Sequence, residues 1–177
     1  TTHKEAGMKV VSLVLSLVLM GAILFADEKA KAPKTSPGFE KLKTLTGEWQ
    51  AKTRDGQNVK TTYKLVSNGS ALIETLEMGK KGEGTMVTVY HHDGDQLMMT
   101  HYCSANNQPR MKAQPASGEI NSLAFSYVDA TNLAPPDSGH MHRLVVTFQD
   151  KDRMTQEWTW REYGKDAFTE LFEYKRK

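Results

Sequence analysis

The sequence predicts an all-β fold: a closed antiparallel up-and-down barrel of about ten strands, preceded by one short helix. Three observations carry this expectation. Beyond residue 45 the apolar residues recur with a period of two, which is the strand period. Turn signals built on Gly, Asn, Asp and Pro arrive roughly every ten residues, the spacing of an all-β sandwich or barrel. Nearly every connection is short, which favours a meander over a Greek key, and closing a meander removes its exposed edges.

The elements follow in order. Residues 39–45 (FEKLKTL) set Phe39, Leu42 and Leu45 at helical spacing and predict one helical turn. Trp49, Ala51 and Thr53 then alternate with Glu48, Gln50 and Lys52, and Asp55-Gly56 predicts a hairpin turn. In residues 61–66 Tyr63 and Leu65 share a face; Asn68-Gly69 turns the chain into residues 71–78, and a Lys/Gly loop occupies 79–84. Residues 85–90 and 96–103 flank Asp93-Gly94, read as a type I′ turn. Pairing about that turn sets Tyr90 opposite Leu97 and Met86 opposite His101. A short strand is expected at 111–114. In residues 123–128 Leu123, Phe125 and Tyr127 oppose Ala124, Ser126 and Val128. The stretch NLAPPDSG (132–139) is a loop, and strands at 140–149, 154–163 and 168–175 complete the count.

The chain has 177 residues, of which 38% are hydrophobic and 25% charged, the balance of one ordinary globular domain rather than of a disordered, collagenous or coiled-coil chain. A formal net charge of +2 offers no argument for nucleic acid as a partner. A single Cys excludes an internal disulfide and any Cys-rich metal centre. Met8-Lys9, the uncharged run 10–25 (VVSLVLSLVLMGAILF) and the small Ala26 read as a secretory signal peptide with cleavage after Ala26. The run is shorter than the ~20 residues of a spanning helix. No Cys lies near its exit, so a lipid anchor is not expected. The expected organisation is therefore 1–26 signal peptide with an upstream extension, 27–38 Lys/Ala/Pro-rich linker and 39–177 barrel domain. The expected protein is secreted or periplasmic, without a stable membrane anchor, and a monomer or weak dimer.

Strand parity selects candidate pocket residues. On the strand from 140, the face His140, His142, Leu144, Val146, Phe148 is more apolar than Met141, Arg143, Val145, Thr147, Gln149, and is expected inside. Met154, Gln156, Trp158 and Trp160 form the apolar face of the next strand, and Phe168, Phe172 and Tyr174 share a face with Glu170 on the last. For 96–103 two sets are open, Leu97, Met99, His101, Cys103 or Met98, Thr100, Tyr102, with the first favoured. Arg110 follows a Pro-containing turn and is placed over the barrel mouth. These choices bring His140, His142, Glu170, Gln156, His101 and Arg110 into one polar cluster, with Trp158 and Trp160 available to stack on a ligand. Inward polar groups need a partner, a water or a ligand, because burying them unpaired is costly. His140-x-His142 has the same-face spacing of metal-binding strands, but no Glu follows three or four residues on. No metal is assigned, and no cofactor is identified. Cys103, two residues after His101, is weighed as a thiolate nucleophile and as a small buried hydrophobe. Trp49 is expected to plug the barrel base against Arg176 or Arg161.

Leu45-Thr46-Gly47-Glu48-Trp49 resembles the Gly-x-Trp opening strand of the calycins, the group of lipocalins and fatty-acid-binding proteins. His101-Tyr102-Cys103, Asn107-Gln108-Pro109-Arg110-Met111, Asp129-Ala130-Thr131-Asn132 and His140-Met141-His142-Arg143 look like a bacterial, often exported calycin-like family without an established activity. In shape the chain is also similar to the ten-stranded nitrobindin-like haem barrels, although no motif here assigns a haem histidine. The resemblance covers residues 39–177 and implies an exported barrel. The function expected is binding of a small apolar or amphipathic molecule. The alternatives are a small-molecule enzyme using the cavity His and Glu groups, or a haem- or metal-binding barrel. Cavity volume separates the binding and enzyme readings from a barrel filled by its own side chains, and an absorption spectrum of protein purified with haem present decides the haem reading.

Overall fold

The computed structural model describes residues 35–79, 84–115, 118–133, 135 and 138–177. The expected signal segment 1–26 and most of the expected linker lie outside these residues. The architecture is a helix, α1 (Pro37–Lys43), followed by ten strands: β1 (Gly47–Lys52), β2 (Asn58–Val66), β3 (Ala71–Met78), β4 (Met86–Asp93), β5 (Gln96–Tyr102), β6 (Gln108–Ala113), β7 (Ser122–Thr131), β8 (His140–Phe148), β9 (Arg153–Glu162) and β10 (Lys165–Arg176). Each strand pairs antiparallel with its sequence neighbours, and β1 closes on β10 through Trp49 opposite Arg176 and Gln50 opposite Lys175. The closed meander expected from the alternation is the fold.

The helix starts two residues earlier than the hydrophobic spacing indicates. Ser36 caps it by accepting from the Phe39 N–H at 3.2 Å, and Pro37 opens it, where a missing N–H costs nothing. Ser36, Pro37 and Gly38 therefore belong to the folded domain and not to the linker. Phe39 and Leu42 are fully buried against the barrel base, and a side chain at Gly38 would press on Leu97 and Leu123. The His92 ring fastens the cap by accepting the Ser36 N–H at 3.0 Å.

Trp49 is the base plug. It is fully buried and its indole donates to the Leu45 carbonyl at 2.7 Å. Of the two basic partners expected, Arg176 lies over it, with the guanidinium carbon 4.2 Å from the ring centroid. The same guanidinium donates to the carbonyls of Thr44, Thr46 and Lys151 at 2.8, 2.9 and 3.0 Å, tying the helix exit, β1 and the β8–β9 turn together. Gly47, at φ +127°, leaves room beside this guanidinium.

Three departures from the expected register matter. The β4–β5 turn sits one residue later, at Gly94-Asp95, so Tyr90 opposes Met99 and Thr88 opposes His101. The shift moves each partner by two residues, so Leu97, Met99 and His101 still point inward and are buried. The strand expected at 111–114 begins at Gln108, so Arg110 lies within β6 and not after a turn. In β8 the pairing with β9 slips between Met141 and Arg143: Met141 opposes Trp160 and Arg143 opposes Thr159, leaving His142 as an extra residue. A bulge of this kind reverses the inside–outside parity of everything before it.

Candidate functional site

The β1–β2, β3–β4, β5–β6, β7–β8 and β9–β10 connections gather at the end opposite α1, and a cavity of about 690 Å³ opens there. Its apolar lining comes chiefly from Leu76, Met86, Met141, Trp158, Trp160 and Phe172. A broader depression of about 790 Å³ along β1, β2 and β10 is lined mainly by exposed side chains such as Gln50, Lys60 and Lys175, and holds no buried polar group.

Glu74 forms the polar floor of the cavity, with a fully buried hydrogen-bond network behind it. Glu74 reaches the cavity from β3, where Leu72, Glu74 and Leu76 share the inward face. Tyr90 donates to one carboxyl oxygen at 2.6 Å and the Gln156 amide to the other at 3.0 Å. The same amide donates to the Tyr63 hydroxyl at 2.7 Å, while the Gln156 carbonyl accepts from the Trp158 indole at 3.0 Å. Thr61 donates to Tyr174 at 3.0 Å alongside. Burial raises the Glu74 carboxyl, against the lowering effect of Tyr90, Gln156 and Tyr63 beside it, and raises Tyr63 and Tyr90 well above the ordinary phenol range.

His101 forms the adjoining wall. It is 3% exposed, its ring lies 4.6 Å from that of Trp158, and its Nδ1 is 2.9 Å from the Thr88 hydroxyl. Burial pushes its pKa down to about 4, so the ring is neutral at pH 7. Its Nε2 has no hydrogen-bond partner. Cys103 also lines the cavity, but burial raises its thiol, which disfavours the thiolate that a nucleophile needs. At the rim Trp160 stacks on Phe168 with centroids 6.1 Å apart, and Glu170 and Asp55 face the opening. Gly139 makes the Trp160 position possible, since a Cβ there would lie 2.1 Å from the indole.

The expected polar cluster is thus divided. His101, Trp158, Trp160 and Glu170 line the cavity, joined by Glu74 and Thr88, while Gln156 lies behind Glu74 with Tyr63 and Tyr90. His140 and His142 do not line the cavity, because the β8 bulge turns Met141 inward in their place. They pair with each other at 3.2 Å, His140 Nε2 to His142 Nδ1, and pack on Tyr127 with centroids 4.4 and 5.2 Å away. An acid–base set of His140, His142 and Glu170 is therefore not assembled around the cavity. Arg110 stands on the outer surface in a bidentate pair with Asp129, and not over the mouth. Among the described residues no three His, Cys, Asp or Glu side chains converge as a metal ion would require.

Glu74 is the residue that sequence reasoning passed over. Its signal is the one that exposed Glu170: a lone carboxylate in the apolar series Leu72, Glu74, Leu76, Met78. No model of a known protein family and no curated protein sequence matches this chain.

Proposed function

We propose that the chain is an exported, calycin-like barrel that binds a small apolar or amphipathic molecule, acting as a monomer or weak dimer. The observation that carries this reading is the cavity of about 690 Å³, walled by Met, Trp and Phe and floored by a few convergent polar groups. That is the physical make-up of a small-molecule site, where apolar walls supply affinity and sparse polar groups set orientation. One end is sealed by α1, Trp49 and Arg176, so a ligand enters and leaves by the other.

The test is titration with N-phenyl-1-naphthylamine, an uncharged probe whose emission rises in apolar surroundings. Saturable enhancement, accompanied by transfer from Trp158 and Trp160, is expected, as is a co-purifying small molecule in native mass spectra of protein from its natural host. An unchanged probe signal up to its solubility limit would reject the reading. Export rests on residues 8–26, and N-terminal sequencing of secreted or periplasmic protein is expected to begin at Asp27.

A further inference from the structure

The binding reading leaves open which chemistry the cavity selects, and three features of its wall bear on that. The first is His101. Its Nε2 is the unpartnered nitrogen of a side chain that is 3% exposed and lines the cavity. Buried polar groups almost always find a partner, so a solitary one on a cavity wall points to something the cavity receives.

The second feature is the tautomer. Thr88 is 2% exposed and its hydroxyl has one partner, His101 Nδ1. If Nδ1 carried the proton, it would donate to Thr88 and the threonine hydrogen would be left without an acceptor, together with a bare Nε2. If the threonine donates to Nδ1, only one group is left over, the Nε2–H. Hydrogen-bond accounting therefore makes the free nitrogen of His101, Nε2, a donor.

The third feature is charge. Asp55, Glu74 and Glu170 line the cavity, and no Lys or Arg does so among the described residues. The neutral histidine adds no positive charge. A carboxylate ligand would enter an acidic, low-dielectric space with no cation to receive it, which is strongly unfavourable.

Resting on the binding reading above, we propose that the cavity takes an uncharged, mainly apolar molecule that presents one hydrogen-bond acceptor, such as a carbonyl oxygen, to His101 Nε2–H, and that it discriminates against fatty or aromatic carboxylates. Trp158, at 4.6 Å from the imidazole, holds the ring in place, and its own N–H is committed to Gln156. Among the buried side chains of the wall, His101 is thus the one with a donor left for a guest. Thr88 acts as a positioning residue by fixing the tautomer.

Three naphthalenes of nearly the same size test this: 2-acetylnaphthalene, 2-ethylnaphthalene and 2-naphthoate, titrated by calorimetry at pH 7 into the full barrel domain and its His101→Phe variant. The ketone is expected to lose about tenfold in affinity on His101→Phe, the value of one hydrogen bond, while 2-ethylnaphthalene changes less than about twofold. In the unmodified protein 2-naphthoate is expected to bind at least about tenfold more weakly than the ketone. Should His101→Phe not fold, the infrared carbonyl stretch of the bound ketone decides. It is expected below its position in alkane solvent, as hydrogen bonding requires. A stretch at the alkane position, equal losses for ketone and hydrocarbon, or 2-naphthoate binding as tightly as the ketone would overturn the proposal and leave the binding reading intact. Failure of all three compounds to bind would overturn both.

Discussion

Gln156→Leu tests whether the polar floor is a connected network. Gln156 is fully buried, accepts from Trp158 at 3.0 Å and donates to Tyr63 and Glu74 at 2.7 and 3.0 Å. Leucine keeps the volume and removes every one of these bonds. The Trp158 indole, 3% exposed, loses its acceptor, and an orphaned buried donor costs about 1–3 kcal/mol. Glu74 loses one of its donors while Tyr90 remains, a further loss of about 1–2 kcal/mol. Leucine's apolar surface offsets part of this, so the net is about 3 kcal/mol, or a fall in Tm of roughly 10 °C for a domain of this size. Urea unfolding followed by circular dichroism measures it. A double-mutant cycle with Trp158→Phe isolates the shared bond, and Gln156→Leu is expected to cost about 1 kcal/mol less in that background. A loss below about 0.5 kcal/mol, or no coupling to Trp158, would show that these groups are each satisfied independently and refute the network.

Three further outcomes are expected. His101, held at about 4 when folded against 6.5 when free, contributes stability that is full above pH 6.5 and is lost as pH falls towards 4, about 3 kcal/mol in all. Glu74, whose carboxyl is raised, runs the other way, with its contribution complete below 4.5 and lost as pH rises through its folded value. Stability of His101→Phe is therefore expected to fall less steeply than the wild type's between pH 6.5 and 4, the remaining fall coming from His92 and His142, which burial also holds low, and an acid-side fall as steep as the wild type's would contradict the assignment. Gly139→Ala drives a methyl into the Trp160 ring and is expected to cost about 1–3 kcal/mol with a shift in tryptophan emission, since the indole must leave its stack on Phe168 to admit it. Arg176→Lys keeps the charge but loses the planar fork that reaches three carbonyls, so it is expected to destabilise nearly as much as Arg176→Met in thermal melts, and full recovery by lysine would refute the clamp.

Much of the barrel was legible because the strand period is a local property. Alternation in β7, β9 and β10 and the Gly and Asn turns mark where strands run, and short connections leave a meander as the economical closure. Inward placement of Gln156, Trp158 and Glu170 follows from the same parity, and Trp49 and Arg176 meet because the first and last strands of a closed meander must pair. The helical turn that carries Phe39 and Leu42 is likewise readable from their spacing, although its seat beneath the barrel is not.

Local periodicity could not locate the site. One extra residue in β8 reverses parity for everything before it, so His140 and His142 leave the cavity and Met141 enters. The bulge has no signature in the residue pattern, because it is set by how β8 must bend to keep its register with β9. Glu74 and Gln156 are 82 positions apart in the chain and bond across the barrel only once it has closed. Whether a lone carboxylate on an apolar face is a rim group, like Glu170, or a buried hub, like Glu74, depends on how far along the barrel axis its strand is set. Sequence therefore determined the strands, their order and the sealed base. Tertiary structure alone decided which polar groups share the floor, because desolvation and hydrogen-bond partnership are properties of the closed barrel and not of any one strand.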